Sequence, residues 1–528
     1  VITLYQGAQF HLYRYKRYDD VRLVFAPEEQ IAFYGGDPDN FEYPRYDLDI
    51  CIFRAYENGQ PAKIEHFLKW NTKGPADGEL TFVSGNPGRT DRQLAVEELA
   101  DLRDREAPGL LSVFYRRETY LHAWSARSFE NKRRAETNTR GVENNRKRYD
   151  GYLAGLLDPD IWRAIEDRQK KLTDAASNTI PLFDKIKQAQ NATEKVLPAY
   201  EYFEQLRGRP EARYQAPRAF NSTLFQFARR LLRHGEEMTK PNGERFPEFR
   251  DSYRDSLELE LFSGQPIYDD FEIVKLTDSL TDMTTRFGAE DPTVKQVLAG
   301  KSPVDRATEL VTGTKLKDVG FRKQLYNGGA SAVSAAKDPM IELARMIDGP
   351  ARDARKVYEA QDEIKQQAYA EIAKARFTAQ GTNSYPDATF TLRLSYGTVR
   401  GYEEHGKQIP ALTKTSGLYQ RGTLHNNLPP FDVPKRWLDR KSKLNPNTPF
   451  NFVSDADIIG GNSGSPVVNK NNEFVGIIFD GNIQSLVLDC IYTDKQARAV
   501  STDSAAITEA LRNVYDAQPL LDQLMAGK

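Results

Sequence analysis

The sequence predicts a β structure in two parts separated by a long α-helical insert, because residue composition changes twice along the chain. Up to about residue 95, β-branched and aromatic runs such as residues 48–56 are broken by turn residues such as 35–40. Between about 96 and 377, Glu, Lys, Arg, Ala and Leu recur at helical spacing. After residue 377 the β pattern returns, and residues 389–397 alternate with period two.

Apolar periodicity also predicts single elements. Within the insert, helices are expected at residues 160–174, 185–206, 220–237 and 339–376. The tail, residues 503–524, is predicted to form a terminal helix. Asp503 or Ser504 would be its N-cap, and Ile507, Leu511 and Val514 would share one side.

Composition excludes several function classes. The chain has 528 residues, with 73 Lys and Arg against 75 Asp and Glu, so neither a basic nucleic-acid surface nor a polybasic membrane patch is indicated. No apolar run approaches the 18 or so residues of a membrane-spanning helix. The length is enough for about three domains. We therefore expect no nucleic-acid partner and no membrane span.

Cysteine and histidine usage favours neither a disulfide framework nor a metal centre. Cys51 and Cys490 lie in apolar strand-like segments and allow at most one disulfide, and two buried free thiols is the favoured interpretation. The six histidines are scattered, and none pairs with another His or a Cys at a ligand spacing. The sequence therefore predicts no metal and no cofactor.

The most informative stretch is Gly460-Gly461-Asn462-Ser463-Gly464-Ser465-Pro466, which lies between strand-like runs. A serine nucleophile needs a hydroxyl on a tight turn, with small neighbours that let backbone amides point at a developing oxyanion. The loop predicts Ser463 as a serine-peptidase nucleophile, with the Gly461 and Ser463 amides as the oxyanion hole. An ordinary Gly/Asn/Ser turn is the alternative.

This loop favours a particular fold class, a chymotrypsin-like double β-barrel with a large α-helical domain inserted between the barrel halves. The predicted domains are residues 1–95 as an incomplete first barrel, 96–377 as the helical insert, and 378–528 as the second barrel with a C-terminal helix. Such peptidases place their site in the cleft between two barrels, so the insert would lie over that cleft.

A serine nucleophile needs a base and a carboxylate that orients the base. Asp47 and Asp49 are the candidates for the carboxylate, because strand alternation over residues 46–50 would put both on one face. Both could instead simply cap a strand. No histidine is a convincing base: His11 lies in ordinary strand alternation, and the others follow in the insert or in polar loops. The chain also opens at Val1 inside a strand pattern, which predicts a fragment whose base lies upstream of Val1.

Several stretches together identify a family resemblance. Residues 21–27, 35–45, 85–90, 385–397 and 460–466 match, in order, the bacterial serine dipeptidyl peptidases that include dipeptidyl peptidases 7 and 11 and dipeptidyl aminopeptidase BII. The resemblance implies the double barrel with a helical insert, release of dipeptides from a free N-terminus, and Ser-His-Asp acyl-enzyme chemistry. Members are secreted to the periplasm or cell surface and are commonly homodimers, so both are expected here.

The resemblance also implies residue roles. The nucleophile falls on Ser463 and the triad aspartate on Asp49 rather than Asp47, while the histidine belongs to a Thr-Asn-His-His-Cys type motif that this sequence lacks. Residues similar to Asn40 and Asp480 bind the substrate's ammonium. Where the family has a tryptophan, this chain has Phe41, which keeps an aromatic wall but loses the indole N–H.

One further position bears on specificity. Members that cut after Asp or Glu have Arg at the position of Gly481, and members that prefer apolar or aromatic residues have Gly. The resemblance therefore implies an uncharged pocket, closest to that of dipeptidyl peptidase 7, with an apolar or aromatic residue preferred at the penultimate position of the peptide. Asp480-Gly481 between two strands is equally typical of a hairpin turn.

Two other functions stay open at this point. A chymotrypsin-fold endopeptidase of the glutamyl-endopeptidase or HtrA type shares the Gly-Asn-Ser-Gly loop, but it has no helical insert of this length and no use for the Asn40 and Asp480 pair. A non-catalytic pseudoenzyme is the second alternative, since no base is identified within the chain.

Overall fold

The computed structural model describes residues 2–5, 9–204, 217–381 and 385–527. The strands are β1 (Ile2–Tyr5), β2 (Gln9–Leu12), β3 (Asp20–Phe25), β4 (Ile52–Glu57), β5 (Gln60–Pro61), β6 (Lys69–Trp70), β7 (Leu80–Gly85), β8 (Arg393–Thr398), β9 (Tyr402–Glu404), β10 (Lys407–Ile409), β11 (Leu412–Lys414), β12 (Pro449–Ser454), β13 (Pro466–Asn469), β14 (Glu473–Gly481) and β15 (Ala499–Asp503).

The helices are α1 (Glu29–Ala32), α2 (Gly36–Asp39), α3 (Val96–Asp101), α4 (Ala107–Ser125), α5 (Phe129–Leu157), α6 (Pro159–Ala175), α7 (Ile180–Thr193), α8 (Leu197–Ala199), α9 (Thr223–Glu237), α10 (Arg254–Leu261), α11 (Asp269–Phe287), α12 (Pro292–Leu298), α13 (Pro303–Gly313), α14 (Val319–Ala335), α15 (Pro339–Gln380), α16 (Thr415–Leu424), α17 (Lys435–Arg440), α18 (Ser504–Glu509) and α19 (Gln518–Ala526). Within the described ranges, no helix is both long enough and apolar enough to cross a bilayer.

The chain forms two compact units. The first contains residues 1–127, 136–182 and 369–528, and the second contains residues 128–135 and 183–368. Helices α3, α4 and α6 thus belong to the same unit as the sheets, although they fall inside the predicted insert. The physical reason for α3 and α6 is their apolar contacts, since Leu99 of α3 and Ile165 of α6 are buried in one cluster with Val487 and Cys490. The three-domain division predicted from composition stays a prediction.

The largest sheet of the first unit carries the candidate nucleophile. Its strand order is β11-β12-β15-β14-β13-β7-β8, and β6 pairs with β14. A bridge between Val399 and Ser454 brings the end of β8 back to β12, so the six strands from β12 to β8 close into a ring. Their inward side chains, including Val83, Phe452 and Val467, form a buried core.

β7 was expected in the first barrel but pairs here with β13 and β8. The described strands of residues 20–61 form a separate three-stranded sheet, β3-β4-β5, and the double barrel stays a prediction.

The second unit is helical. A single apolar core joins α9, α11, α13, α14 and the first turns of α15, with Phe225, Leu280 and Leu310 fully buried. Beside it, the buried Glu204 accepts hydrogen bonds from Arg233 and Arg355. Although burial opposes ionisation, Arg229 and these two arginines lower the pKa of Glu204 to about 2.

The helices predicted at residues 160–174, 220–237 and 339–376 are confirmed as α6, α9 and α15. The helix expected at 185–206 is interrupted between α7 and α8, and residues 205–206 lie outside the described ranges.

The predicted terminal helix is confirmed at its start and is wrong in its continuity. Asp503 is the N-cap, since its carboxylate accepts the Ala505 amide at 2.7 Å. Ile507, Leu511 and Val514 are buried on one side, as expected. The helix breaks before α19, at Asp516, whose φ of 51° is left-handed.

Candidate active site

The loop between β12 and β13 holds Ser463 in a shape that only glycine neighbours permit. Gly461 has a φ of 104°, and a Cβ there would lie 2.6 Å from the Gly88 nitrogen. Gly464 has a φ of 82°, and its amide donates to the Ile478 carbonyl at 2.7 Å. The loop is therefore fixed to β14 on one side and to the chain at Gly88 on the other.

The Ser463 hydroxyl is exposed and donates to the Phe479 carbonyl at 3.2 Å. Neighbouring amides of the loop are engaged: Asn462 donates to Ile459 and Ser465 donates to Asn462. Among the described residues, no acceptor is recorded for the amides of Gly461 and Ser463. An oxyanion could accept from these two amides, as the oxyanion-hole prediction requires.

A buried arginine organises the carboxylate of Asp480. Arg45 is 1% exposed, and its Nη1 donates to Asp480 Oδ2 at 2.8 Å. The same oxygen accepts the Phe41 amide at 3.3 Å, while Oδ1 accepts the Gly481 amide at 2.9 Å. A bulge between Ile478 and Asp480 in β14 helps to aim this side chain. Asp480 is thus a fixed carboxylate at the end of the strand.

Asn40 and Phe41 lie in a constrained turn after α2. Phe41 is buried with a φ of 56°, which is unusual for an aromatic residue and marks a strained position. Asn40 Nδ2 donates to Asn144 Oδ1 at 3.0 Å. Its amide oxygen keeps its acceptor capacity, since no donor to it is recorded among the described residues.

Helix α5 anchors this turn with two basic residues. Arg146 donates to Asp37 at 2.6 Å. Lys147 donates to the carbonyls of Asp37 and Pro38 at 3.0 and 2.9 Å. The turn that carries Asn40 and Phe41 is therefore fixed to α5 by hydrogen bonds from Arg146 and Lys147.

One cavity brings several of the predicted residues together. Ser463, Phe41, Asp480 and Gly481 all line it. The other lining residues are four aliphatic, two small, one basic and one acidic: Ile458, Ile459, Ile478, Leu486, Gly460, Ser485, Arg148 and Asp489. Asn40 and Asp49 are not among the lining residues, although Phe41, next to Asn40 in the chain, is.

The hairpin-turn alternative for Gly481 is wrong. Gly481 is the last residue of β14, pairs with Ala499 of β15 and is not in the left-handed region. Its role is spatial, because a Cβ would lie 2.2 Å from Ser485 Oγ. The hydroxyl of Ser485 therefore occupies the space beside Gly481.

The shared strand face predicted for Asp47 and Asp49 is also wrong. Residues 45–51 are irregular, because the side-chain amide of Asn451 bonds the Asp47 amide and carbonyl at 2.9 and 2.8 Å in place of a strand partner. Asp47 is 1% exposed and pairs with Arg45 at 3.0 Å. Burial raises the pKa of Asp47 to about 8, and Arg45 opposes this.

Asp49 differs from Asp47 in its availability. The residue is exposed, and among the described residues its carboxylate has no recorded hydrogen-bond partner. Although the residue reaches solvent, desolvation by the surrounding protein raises the pKa of Asp49, and Arg45 again opposes this. Its role as triad aspartate stays a prediction.

No histidine of the described residues lines the cavity. His11 lies on β2, which pairs with β1.

His122 lies 3.0 Å from Glu143 and 3.9 Å from Glu118, so three groups that could together bind a metal ion meet between α4 and α5. Glu118 already pairs with Arg146 at 2.6 Å, which competes with a metal ion for that carboxylate.

The cysteines are both free thiols. Cys490 is buried and its Sγ lies 2.8 Å from the Tyr152 hydroxyl. Cys51 is exposed, so the expectation of two buried thiols is wrong for it.

Comparison with known proteins decides the family. The model of peptidase S46 matches residues 1–526. This chain belongs to the peptidase S46 family. The Asp/Glu-specific dipeptidyl-peptidase of Shewanella putrefaciens is 26% identical over 99% of this chain and 77% of its own length. Dipeptidyl-peptidase 7 of Capnocytophaga gingivalis is 24% identical over 99% of this chain and 75% of its own length.

A solved structure agrees with the fold. The crystal structure of Porphyromonas endodontalis DPP11 in complex with the dipeptide Arg-Glu matches with a TM-score of 0.75 at 19% identity, and covers 99% of this chain and 77% of that one. The mixed β and α architecture is therefore confirmed. Family and relatives also confirm the predicted enzyme class, a serine-type dipeptidyl peptidase. Relatives such as that of Shewanella putrefaciens are named as Asp/Glu-specific, so the comparisons do not support the predicted apolar or aromatic preference.

Sequence reasoning missed four residues of the site: Arg45, Asn144, Arg148 and Asp489. Arg45 lies in a stretch that carried the family resemblance, and an arginine two residues before an aspartate was the available signal. Asn144 and Arg148 lie in charged or polar helical surroundings, where nothing in the sequence separates a cavity residue from a solvated one. Asp489 follows the apolar residues 486–488, and a single acidic residue after such a run was the available signal.

Proposed function

We propose that this enzyme removes dipeptides from the free N-terminus of peptides, with Ser463 as nucleophile and Asp49 as the orienting carboxylate. One observation carries the proposal: Asp480, a fixed carboxylate, lines the same cavity as Ser463. A substrate ammonium bound there would leave only the first few residues to reach the nucleophile, which is the geometry of an exopeptidase. An endopeptidase has no need of an anion at this place.

The carboxylates around Arg45 support amine binding. Arg45 pairs with both Asp47 and Asp480, so Asp480 shares its cation with a second carboxylate. A substrate ammonium would give Asp480 a charged partner of its own and would favour the ionised form of Asp47, whose pKa is raised by burial. The Asn40 amide oxygen would supply a second acceptor, and Phe41 would wall the site.

We further propose that the preferred penultimate residue, the second from the N-terminus and the one after which the peptide is cut, is apolar or aromatic. Four aliphatic residues, Ile458, Ile459, Ile478 and Leu486, line the cavity. Each methylene that leaves water among them gains about 0.8 kcal/mol. Gly481 adds no charge to this wall.

Asp480→Asn tests the amine site. We expect a loss of about 2–5 kcal/mol in transition-state binding for a substrate with a free N-terminus, because an ammonium would lose its charged partner in a desolvated site. The measurement is kcat/KM for a dipeptidyl substrate and for its des-amino analogue. Wild type should discriminate strongly between the two, and the variant should hardly discriminate.

Asp516→Asn is the matched control, since Asp516 is an exposed carboxylate that also pairs with an arginine, Arg440. It should leave the discrimination intact. If Asp480→Asn lowers both substrates equally, Asp480 only supports the fold, and the proposed amine site is incorrect.

A further inference from the structure

The cavity wall contains a cation that the proposed specificity does not use. Arg148 of α5 donates from Nη2 to Asp489 Oδ2 at 2.7 Å, and both residues line the cavity. Their side chains are 29% and 11% exposed, so most of the surface of both side chains is shielded from solvent. A guanidinium in a pocket is the usual partner of a carboxylate, and here that carboxylate belongs to the protein.

Close helix packing fixes this pair. A Cβ on Gly151 would lie 2.6 Å from Leu486, and one on Gly155 would lie 2.6 Å from Val487. The two glycines therefore let α5 lie directly against the segment Ile483–Asp489, which carries Asp489. Tyr152 adds its contact to Cys490 on the same side. Close packing of α5 thus fixes the backbone position from which the Arg148 side chain reaches Asp489.

We propose that Asp489 masks Arg148, and that this pair determines which charge the pocket accepts at the penultimate position. The inference rests on the proposed function and adds a specificity determinant to it. With Asp489 ionised, the pocket offers no net positive charge to a substrate. An acidic side chain could reach the guanidinium only by displacing Asp489, which would break the ion pair between Asp489 and Arg148. Apolar side chains carry no such penalty.

Selectivity would then depend on Arg148 and Asp489 as well as on residue 481. Removing the charge of Asp489 while keeping its shape should expose Arg148 and convert the pocket to one that binds Asp or Glu. Asp489→Asn makes this change, and Asp489→Ser serves if the first variant does not fold. Arg148→Gln in the Asp489→Asn background removes the cation again and is the matched reversal.

Calorimetric binding of product dipeptides measures the effect without requiring turnover. The probes are Val-Leu, Val-Glu and acetyl-Val-Leu, with wild type and the variants compared for thermal unfolding first. Asp489→Asn should lower the ratio of the Val-Glu to the Val-Leu Kd by about 10- to 100-fold, the effect of one charge-assisted hydrogen bond. The double variant should return the ratio to the wild-type value.

Three results would overturn the masking. The ratio could stay unchanged in Asp489→Asn, the gain could survive in the double variant, or wild type could already prefer Val-Glu. Failure of the proposed function looks different: wild type would then bind acetyl-Val-Leu as well as it binds Val-Leu, whatever residue 489 is.

Discussion

In the full-length protein, Ser463→Ala should reduce kcat by about 10^6-fold, because the nucleophile of a serine peptidase cannot be replaced by binding or by the oxyanion hole alone. The fold should be unaffected. The side chain is exposed and makes one hydrogen bond, to the Phe479 carbonyl, so the thermal midpoint should change little. Steady-state rates on a dipeptidyl substrate and a thermal unfolding curve check both parts.

Ser465→Ala is the control within the same loop. The Ser465 amide donates to Asn462 and its carbonyl accepts the Ile478 amide, and both are backbone contacts that the substitution keeps. Activity should therefore be retained. Loss of turnover in Ser465→Ala with activity kept in Ser463→Ala would show that the nucleophile has been assigned to the wrong serine.

Asp49→Asn should lower kcat by about 10^4-fold, the effect of losing the carboxylate that sets the histidine tautomer in a serine triad. The loss should fall on kcat rather than KM, since Asp49 lies outside the lining of the cavity. Pre-steady-state acylation rates at saturating substrate measure the change directly.

Asp47→Asn is the matched comparison, two residues away. Its pKa of about 8 means that the charge it contributes near neutrality is already small, and its place is beside Arg45, which holds Asp480. We expect a modest effect, mainly in KM. A large loss of kcat in Asp47→Asn together with a small one in Asp49→Asn would reverse the triad assignment.

The backbone conformation of the loop around Ser463 could be predicted because its requirements are local. Gly461 and Gly464 both have positive φ, and a glycine pattern in the sequence reports such backbone directly. The N-cap at Asp503 was predictable for the same reason, since the cap and the amide that it binds are two residues apart. Long periodic helices such as α6 and α15 were also found.

Features that depend on distant residues could not be predicted. Residues 45–51 alternate like a strand, but the side chain of Asn451, some 400 positions away, bonds the backbone of Asp47, and the buried Arg45 pairs with the Asp47 carboxylate. The space beside Gly481 is set by Ser485, which only the turn after β14 brings near. Helix α5 contributes Asn144 and Arg148 through packing that its charged sequence does not reveal.

The most direct test of the central claim uses one decapeptide in two forms, with a free and with an acetylated N-terminus, and mass spectrometry of the products over time. Binding of the ammonium at Asp480 beside Ser463 predicts successive loss of dipeptides from the free peptide and no cleavage of the acetylated one. Equal cleavage of both, or internal fragments from either, would contradict the account and assign the enzyme to the endopeptidases.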